Sequence, residues 1–156
     1  MGKRVLVAVD LHSAPEASIT YGIELAARIK APLSLIAISS SRPQGKSAAR
    51  LSSSKNIDTV EDKWMDRAAA ESQQKAVNLE IFVASGRFLD ELIRFVRSQP
   101  TIHFIVMAAK DGSKFTSALG RLREEFDGEI LLVEKAGKVT RVSDLYVQSS
   151  LWENSA

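Results

Sequence analysis

A chain of 156 residues is long enough to bury one core without disulfides or metals and too short to need a second domain. Its 45% hydrophobic and 26% charged residues exclude a disordered chain, and 21 Lys and Arg against 19 Asp and Glu leave a net charge of +2, too small to imply a nucleic-acid or lipid partner. With no cysteine there is no disulfide framework, thiolate metal site or cysteine nucleophile, and no apolar run approaches the ~20 residues that span a bilayer.

Met1-Gly2-Lys3-Arg4 leads straight into a strand, so no signal peptide is expected, and the expected address is the cytoplasm. Arg4 to Asp10 is a continuous apolar run closed by an acid, the pattern of a strand covered on both faces. From Ala14 to Lys30, Ala17, Tyr21, Ile23, Leu25 and Ile29 recur at helical spacing, with Ser13 as N-cap and Pro15 in the first turn. Pro32 ends that helix, and Leu33 to Ile38 reads as a second buried strand. Ser39 to Ile57 carries no sustained apolar period and reads as a basic loop.

Asp58 to Ala76 reads as a helix, on the stripe Val60, Trp64, Met65, Ala68 and Ala69. A third strand is expected over Asn78 to Ala84, and Gly86 opens a turn into a helix whose apolar face holds Phe88, Leu89, Leu92, Ile93, Phe95 and Val96. Ile102 to Ala108 is the fourth strand. Phe115, Ala118, Leu119, Leu122 and Phe126 then repeat helically up to Gly128, and Glu129 to Val133 closes the sheet. Strands alternating with helices require right-handed crossovers, hence an α/β fold with a five-stranded parallel sheet and helices on both faces. The expected organisation is one domain over residues 1–135 and a polar tail over 136–156. That tail, with Val142, Leu145, Tyr146, Leu151 and Trp152, is read either as a frayed end or as a segment docking on this subunit or a partner.

In doubly wound sheets ligands bind at the carboxyl ends of the strands, near the point where strand order reverses. Asp10, Ile38 with Ser39, and Met107 to Lys110 are therefore expected to approach one another. A carboxylate at Asp10 can accept a hydrogen bond from a base amino group or a ribose hydroxyl, with Val9, Ile38 and Met107 as apolar walls. It can equally cap the following turn, and the two roles stand level.

These residues resemble the universal stress protein family. The match is Arg4 to Asp10 followed by a helix with Ala17, Leu25 and Ala26-Ala27, supported by Leu33 to Ile38, the Ser85-Gly86 turn, Ile105-Val106-Met107 and Glu129 to Val133. It covers residues 3–134 and leaves the tail without a counterpart. The resemblance implies an adenine-nucleotide alpha-hydrolase-like sheet with strand order 3-2-1-4-5, and homodimers pairing through the last strand, here Glu129 to Val133. ATP-binding members follow the fourth strand with a glycine-rich loop whose bare amides cradle phosphates. This chain departs from that pattern: after Met107 it reads Ala108-Ala109-Lys110-Asp111-Gly112-Ser113-Lys114, with both leading glycines replaced and the loop about five residues short.

The resemblance thus implies an adenine-nucleotide site on Ala8, Val9, Asp10, Ile38, Met107, Ala108, Lys110, Gly112, Ser113, Thr116 and Ser117, better matched on its adenosine side than on its phosphate side. Gly112 to Ser117 reads either as a small anion nest or as an ordinary turn entering a helix capped by Ser113 or Thr116, the latter preferred. His12 reads as a polar surface group and His103 as a packed or edge histidine. Asp90-Glu91 and Glu124-Glu125 read as solvated helix faces, the latter beside Arg121 and Arg123. No metal, catalytic residue, nucleic-acid or membrane partner is expected. The expected function is a non-enzymatic, homodimeric signalling or interaction module of the stress response with little or no ATP binding; the alternative is a sensor of AMP, adenosine or ATP.

Overall fold

A computed structural model describes residues 3–11, 16–39, 49–50, 60–110 and 112–142. In chain order the elements are β1 (Arg4–Asp10), α1 (Glu16–Ile29), β2 (Leu33–Ser39), β3 (Ala49–Arg50), α2 (Val60–Gln74), β4 (Leu79–Ser85), α3 (Phe88–Arg97), β5 (Ile102–Ala108), α4 (Ser113–Glu125), β6 (Glu129–Val133) and β7 (Val139–Val142). They form one sheet in the order β3-β4-β2-β1-β5-β6-β7. The five central strands are all parallel and keep the expected order 3-2-1-4-5, while β3 and β7 are short antiparallel additions at the two edges.

The continuous apolar runs follow from burial on both faces. Successive residues of β1 point to opposite sides of the sheet: Leu6 and Ala8 join Ile36, Ile38, Ile105 and Met107 under α3 and α4, while Val5, Val7 and Val9 join Leu35, Ala37 and Val106 under α1 and α2. Both layers exclude water, so a polar residue in such a strand needs a partner within the protein, as buried Ser34 of β2 has in the Arg4 guanidinium, which donates to its Oγ at 2.9 Å. α1 supplies its layer through Ile19, Gly22, Ile23 and Ala26 on one face. On the other side α3 contributes Leu92, Ile93, Phe95 and Val96, and the Phe95 ring lies 4.9 Å from that of Phe82 at 58°, a tilted aromatic pair.

The two edges depart from the expected outline. Within the Ser39 to Ile57 stretch expected to be a loop, Ala49–Arg50 pairs with Val83 and Phe82 of β4; residues 40–48 and 51–57 lie outside the described residues. The expected boundary at 135 is also passed. A turn closed by Glu134 N–H to Lys138 O and Gly137 N–H to Glu134 O folds the chain back, and β7 pairs with β6 from Ile130↔Val142 to Val133↔Val139. Val142 is buried in the α3/α4 layer, so the first part of the tail docks on its own subunit. Leu145, Tyr146, Leu151 and Trp152 lie outside the described residues. Glu129 to Val133 is paired on both sides within the chain, with β5 on one side and β7 on the other.

The helix ends differ in detail. α4 begins at Ser113 with Gly112, not Ser113 or Thr116, as the N-cap residue and without a side-chain cap bond; Thr116 instead donates both its amide and its Oγ1 to the Gly112 carbonyl, each at 3.2 Å. Two ion pairs cross between α3 and α4, Arg121 with Asp90 and Arg97 with Glu125, each at 2.9 Å, whereas Glu91 is not on a solvated face: it is buried, with Arg94 of its own helix at 3.4 Å. Arg123 turns to the chain beyond its helix and donates to the carbonyls of Phe126 and Gly128 at 2.7 and 2.8 Å.

Candidate functional site

The carboxyl ends of β1, β2 and β5 come together where the strand order reverses, as doubly wound sheets dictate. Register builds the platform. Val9 lies beside Ala37, Asp10 beside Ile38, and Ala8 beside Met107, so the residues just past Met107 rise next to Asp10. The ends are tied by amide bonds that continue the ladder: Leu11 N–H to Ile38 O, Gly86 N–H to Ser39 O, and Ala109 N–H to Val133 O.

On this platform the Lys110 ammonium donates to Asp10 Oδ2 at 2.9 Å and lies 5.7 Å from the centroid of the Phe88 ring. The Asp10 carboxylate thus holds a partner from across the cleft. Its side chain is 17% exposed and that of Lys110 is 38% exposed, so solvent screens the pair, and its net value is about 1 kcal/mol rather than the several of a sealed pair. The cation also gains from the ring face at that distance.

The other expected site residues separate into two groups. Ala8, Val9, Ile38 and Met107 are brought together but are at most 3% exposed, and the pleat sends Val9 to the α1/α2 layer and the other three to the α3/α4 layer. They are packed into the two layers between the sheet and its helices. Ala108 is half-buried, Gly112 and Ser117 are exposed and Thr116 is half-buried. Ser113 begins α4, and Asp111 and His12 lie outside the described residues. His103 is exposed near the start of β5, a strand inside the sheet, with Nδ1 2.8 Å from the Thr101 carbonyl, so it is neither packed nor on an edge strand.

A cleft of about 400 Å³ opens beside Lys110, between the first turn of α1 and the ends of β5 and β6. Glu16, Ala17 and Ala109 line it with Val133 and Lys135. Its size falls within the range of small-molecule sites. The cradle expected of a triphosphate site does not fit these residues. Gly112, at φ +111°, adopts a conformation L side chains rarely take, but Ala108 and Ala109 carry Cβ atoms where bare amides would have to approach phosphate. Among the described residues no group of three His, Asp or Glu could hold a metal, and no helix is long and apolar enough to cross a membrane.

Residues 1–125 match the model of the universal stress protein family, a span well over half the chain. The chain belongs to this family. The fold agrees: a family member from Burkholderia pseudomallei superposes with a TM-score of 0.56 at 17% identity, covering 84% of this chain and 95% of that one. A universal stress protein in complex with cAMP gives 0.59 at 12% identity over 85% and 97% of the two chains. One from Archaeoglobus fulgidus in complex with dAMP gives 0.51 at 16% identity over 82% and 94%. No curated protein matches the sequence.

Two features of the site were missed from sequence. The approach of Lys110 to Asp10 was expected, but the ion pair between these residues, 100 positions apart, was not; its signal was the opposite charge of two groups at neighbouring strand ends. Phe88 was counted only as helix core; its place after the Gly86 turn sets the ring beneath Lys110.

Proposed function

We propose that this universal stress protein is a non-enzymatic interaction or signalling module of the stress response whose strand-end cleft does not hold ATP. The observation that carries the reading is the Asp10–Lys110 pair: the carboxylate at the nucleoside end of the platform already has a cation from the loop where a phosphate cradle would stand. The alanines of that loop support the same reading. A homodimer belongs to the proposal, using a surface other than the edge of β6.

The test is isothermal titration of the full chain with magnesium and ATP. No heat above dilution is expected, and tight magnesium-dependent binding overturns the reading. Sedimentation tests the dimer, which a purely monomeric species rules out.

A second reading is favoured by the cleft beside Lys110: a mononucleotide sensor taking AMP, a cyclic nucleotide or adenosine. Family members with cAMP and dAMP bound support that ligand class. Titration with AMP and adenosine tests it, and absence of binding by both overturns it.

A further inference from the structure

Lys110 serves two features at once. Its ammonium rests on Asp10 beside Phe88, and the same residue lines the cleft shared by Lys135, Glu16 and Val133. A lysine stem carries its point charge on rotatable bonds and offers three donors, so the ammonium can reach different acceptors without moving the backbone. Among the described residues, the charged groups around it are the Asp10 carboxylate from β1 and the two other charged residues that line the cleft, Glu16 and Lys135. While Asp10 neutralises Lys110, Lys135 is set against Glu16 and the cleft offers an anion no net attraction. Once Lys110 leaves Asp10, the cleft carries an excess of one positive charge.

We propose that Lys110 determines ligand specificity by exchanging Asp10 for the phosphate of a bound mononucleotide, so that Lys110 favours a phosphorylated ligand over the bare nucleoside while Asp10 competes with that phosphate for the ammonium. The inference rests on the mononucleotide reading. A phosphate monoester carries more charge than a carboxylate and three acceptor oxygens, which is what makes the exchange favourable. A bare nucleoside brings no acceptor of that strength and leaves the pair intact. No covalent bond is made or broken.

The experiment is isothermal titration of wild-type chain, Asp10→Asn, Lys110→Met and the double variant, each with AMP and with adenosine. Asp10→Asn releases the ammonium, and AMP affinity rises about five- to tenfold, the amount by which a partly exposed pair holds it back. Adenosine affinity stays within about twofold. Lys110→Met lowers AMP affinity to that of adenosine, and the double variant behaves as Lys110→Met.

Asp10→Asn that weakens both ligands alike overturns the exchange, because Asp10 then holds the nucleoside itself, and leaves the mononucleotide reading standing. Equal AMP affinity in wild type and Asp10→Asn has the same meaning. If neither ligand binds any variant, both fall together. Should Asp10→Asn not fold, Lys110→Met decides: an AMP affinity equal to wild type overturns the proposal, and a loss confined to AMP supports it.

Discussion

Replacing Gly22 by alanine sets two effects of opposite sign against each other. Gly22 lies in the middle of α1, where intrinsic propensity alone predicts that alanine stabilises the helix by about 1 kcal/mol. Its missing side chain is also what lets α1 lie close to β1. A Cβ there would overlap Val7 Cγ2, and Val7 is fully buried with no room to retreat. Overpacking of this kind costs about 1–3 kcal/mol, and more where a fixed β-branched side chain is the obstacle. The packing term wins, so Gly22→Ala is expected to destabilise by about 1–2 kcal/mol net. Urea unfolding measures it, and a double-mutant cycle identifies the cause. In Val7→Ala the obstructing methyl is gone and the new Cβ would meet Val7 Cβ at 3.7 Å, an ordinary contact. Val7→Ala alone costs about 1.5–3 kcal/mol through lost burial, and the double variant should lose less than the sum by about 2–3 kcal/mol, the whole packing term. A Gly22→Ala chain as stable as wild type, or an additive cycle, refutes the close-packing argument.

Three further variants test other parts of the frame. Gly128→Ala would press a Cβ against the His103 carbonyl and the Phe126 ring; because a backbone atom cannot swing aside, a loss of about 2 kcal/mol or more is expected in the same urea assay. Ala76, just past α2, adopts φ +58°, a region that costs a residue with a Cβ about 1 kcal/mol; Ala76→Gly should therefore raise the thermal midpoint by about 2–4 °C. Arg123→Ala removes two hydrogen bonds to the carbonyls of Phe126 and Gly128 and should cost about 1–2 kcal/mol, read by chemical denaturation, while leaving the opposite end of the sheet and any ligand affinity there unchanged.

The parallel sheet was legible because a strand buried on both faces is apolar in unbroken runs rather than in alternation, and Val5 to Val9, Leu35 to Ile38 and Ile130 to Val133 each show that pattern. The edge strands were not. β3 is two residues long, and β7 interrupts its apolar residues with Thr140 and Arg141, so neither offers a period to read. Their existence depends on pairing partners that only the folded sheet supplies. The meeting of the strand ends was legible by position, whereas what covers each residue there was not. A residue such as Met107 or Ile38 at a strand end has the same apolar character whether a ligand or a helix covers it, and here the helices do.

This distinction decides what kind of recognition the strand ends can perform. The pleat divides the last residues of each strand between two sealed layers, so among the described residues the groups left to meet a ligand at the ends of β1 and β5 are the Asp10 side chain, Ala109 and Lys110. A glycine-rich cradle reads phosphate with fixed amide dipoles, a matter of shape that salt screens little. A lysine reads it as a point charge on a flexible stem, and in this chain that charge must first be released from Asp10. In the proposed exchange the cost of release is common to every anion, so discrimination comes from the charge and number of acceptor oxygens a ligand presents rather than from its fit. Mononucleotide binding of that kind weakens as ionic strength rises, since the cleft and the partly exposed pair both lie within reach of solvent ions. Binding through backbone amides in a closed loop would not, and AMP titrations at ~0.05 and ~0.5 M salt, spanning a several-fold change in screening, separate the two.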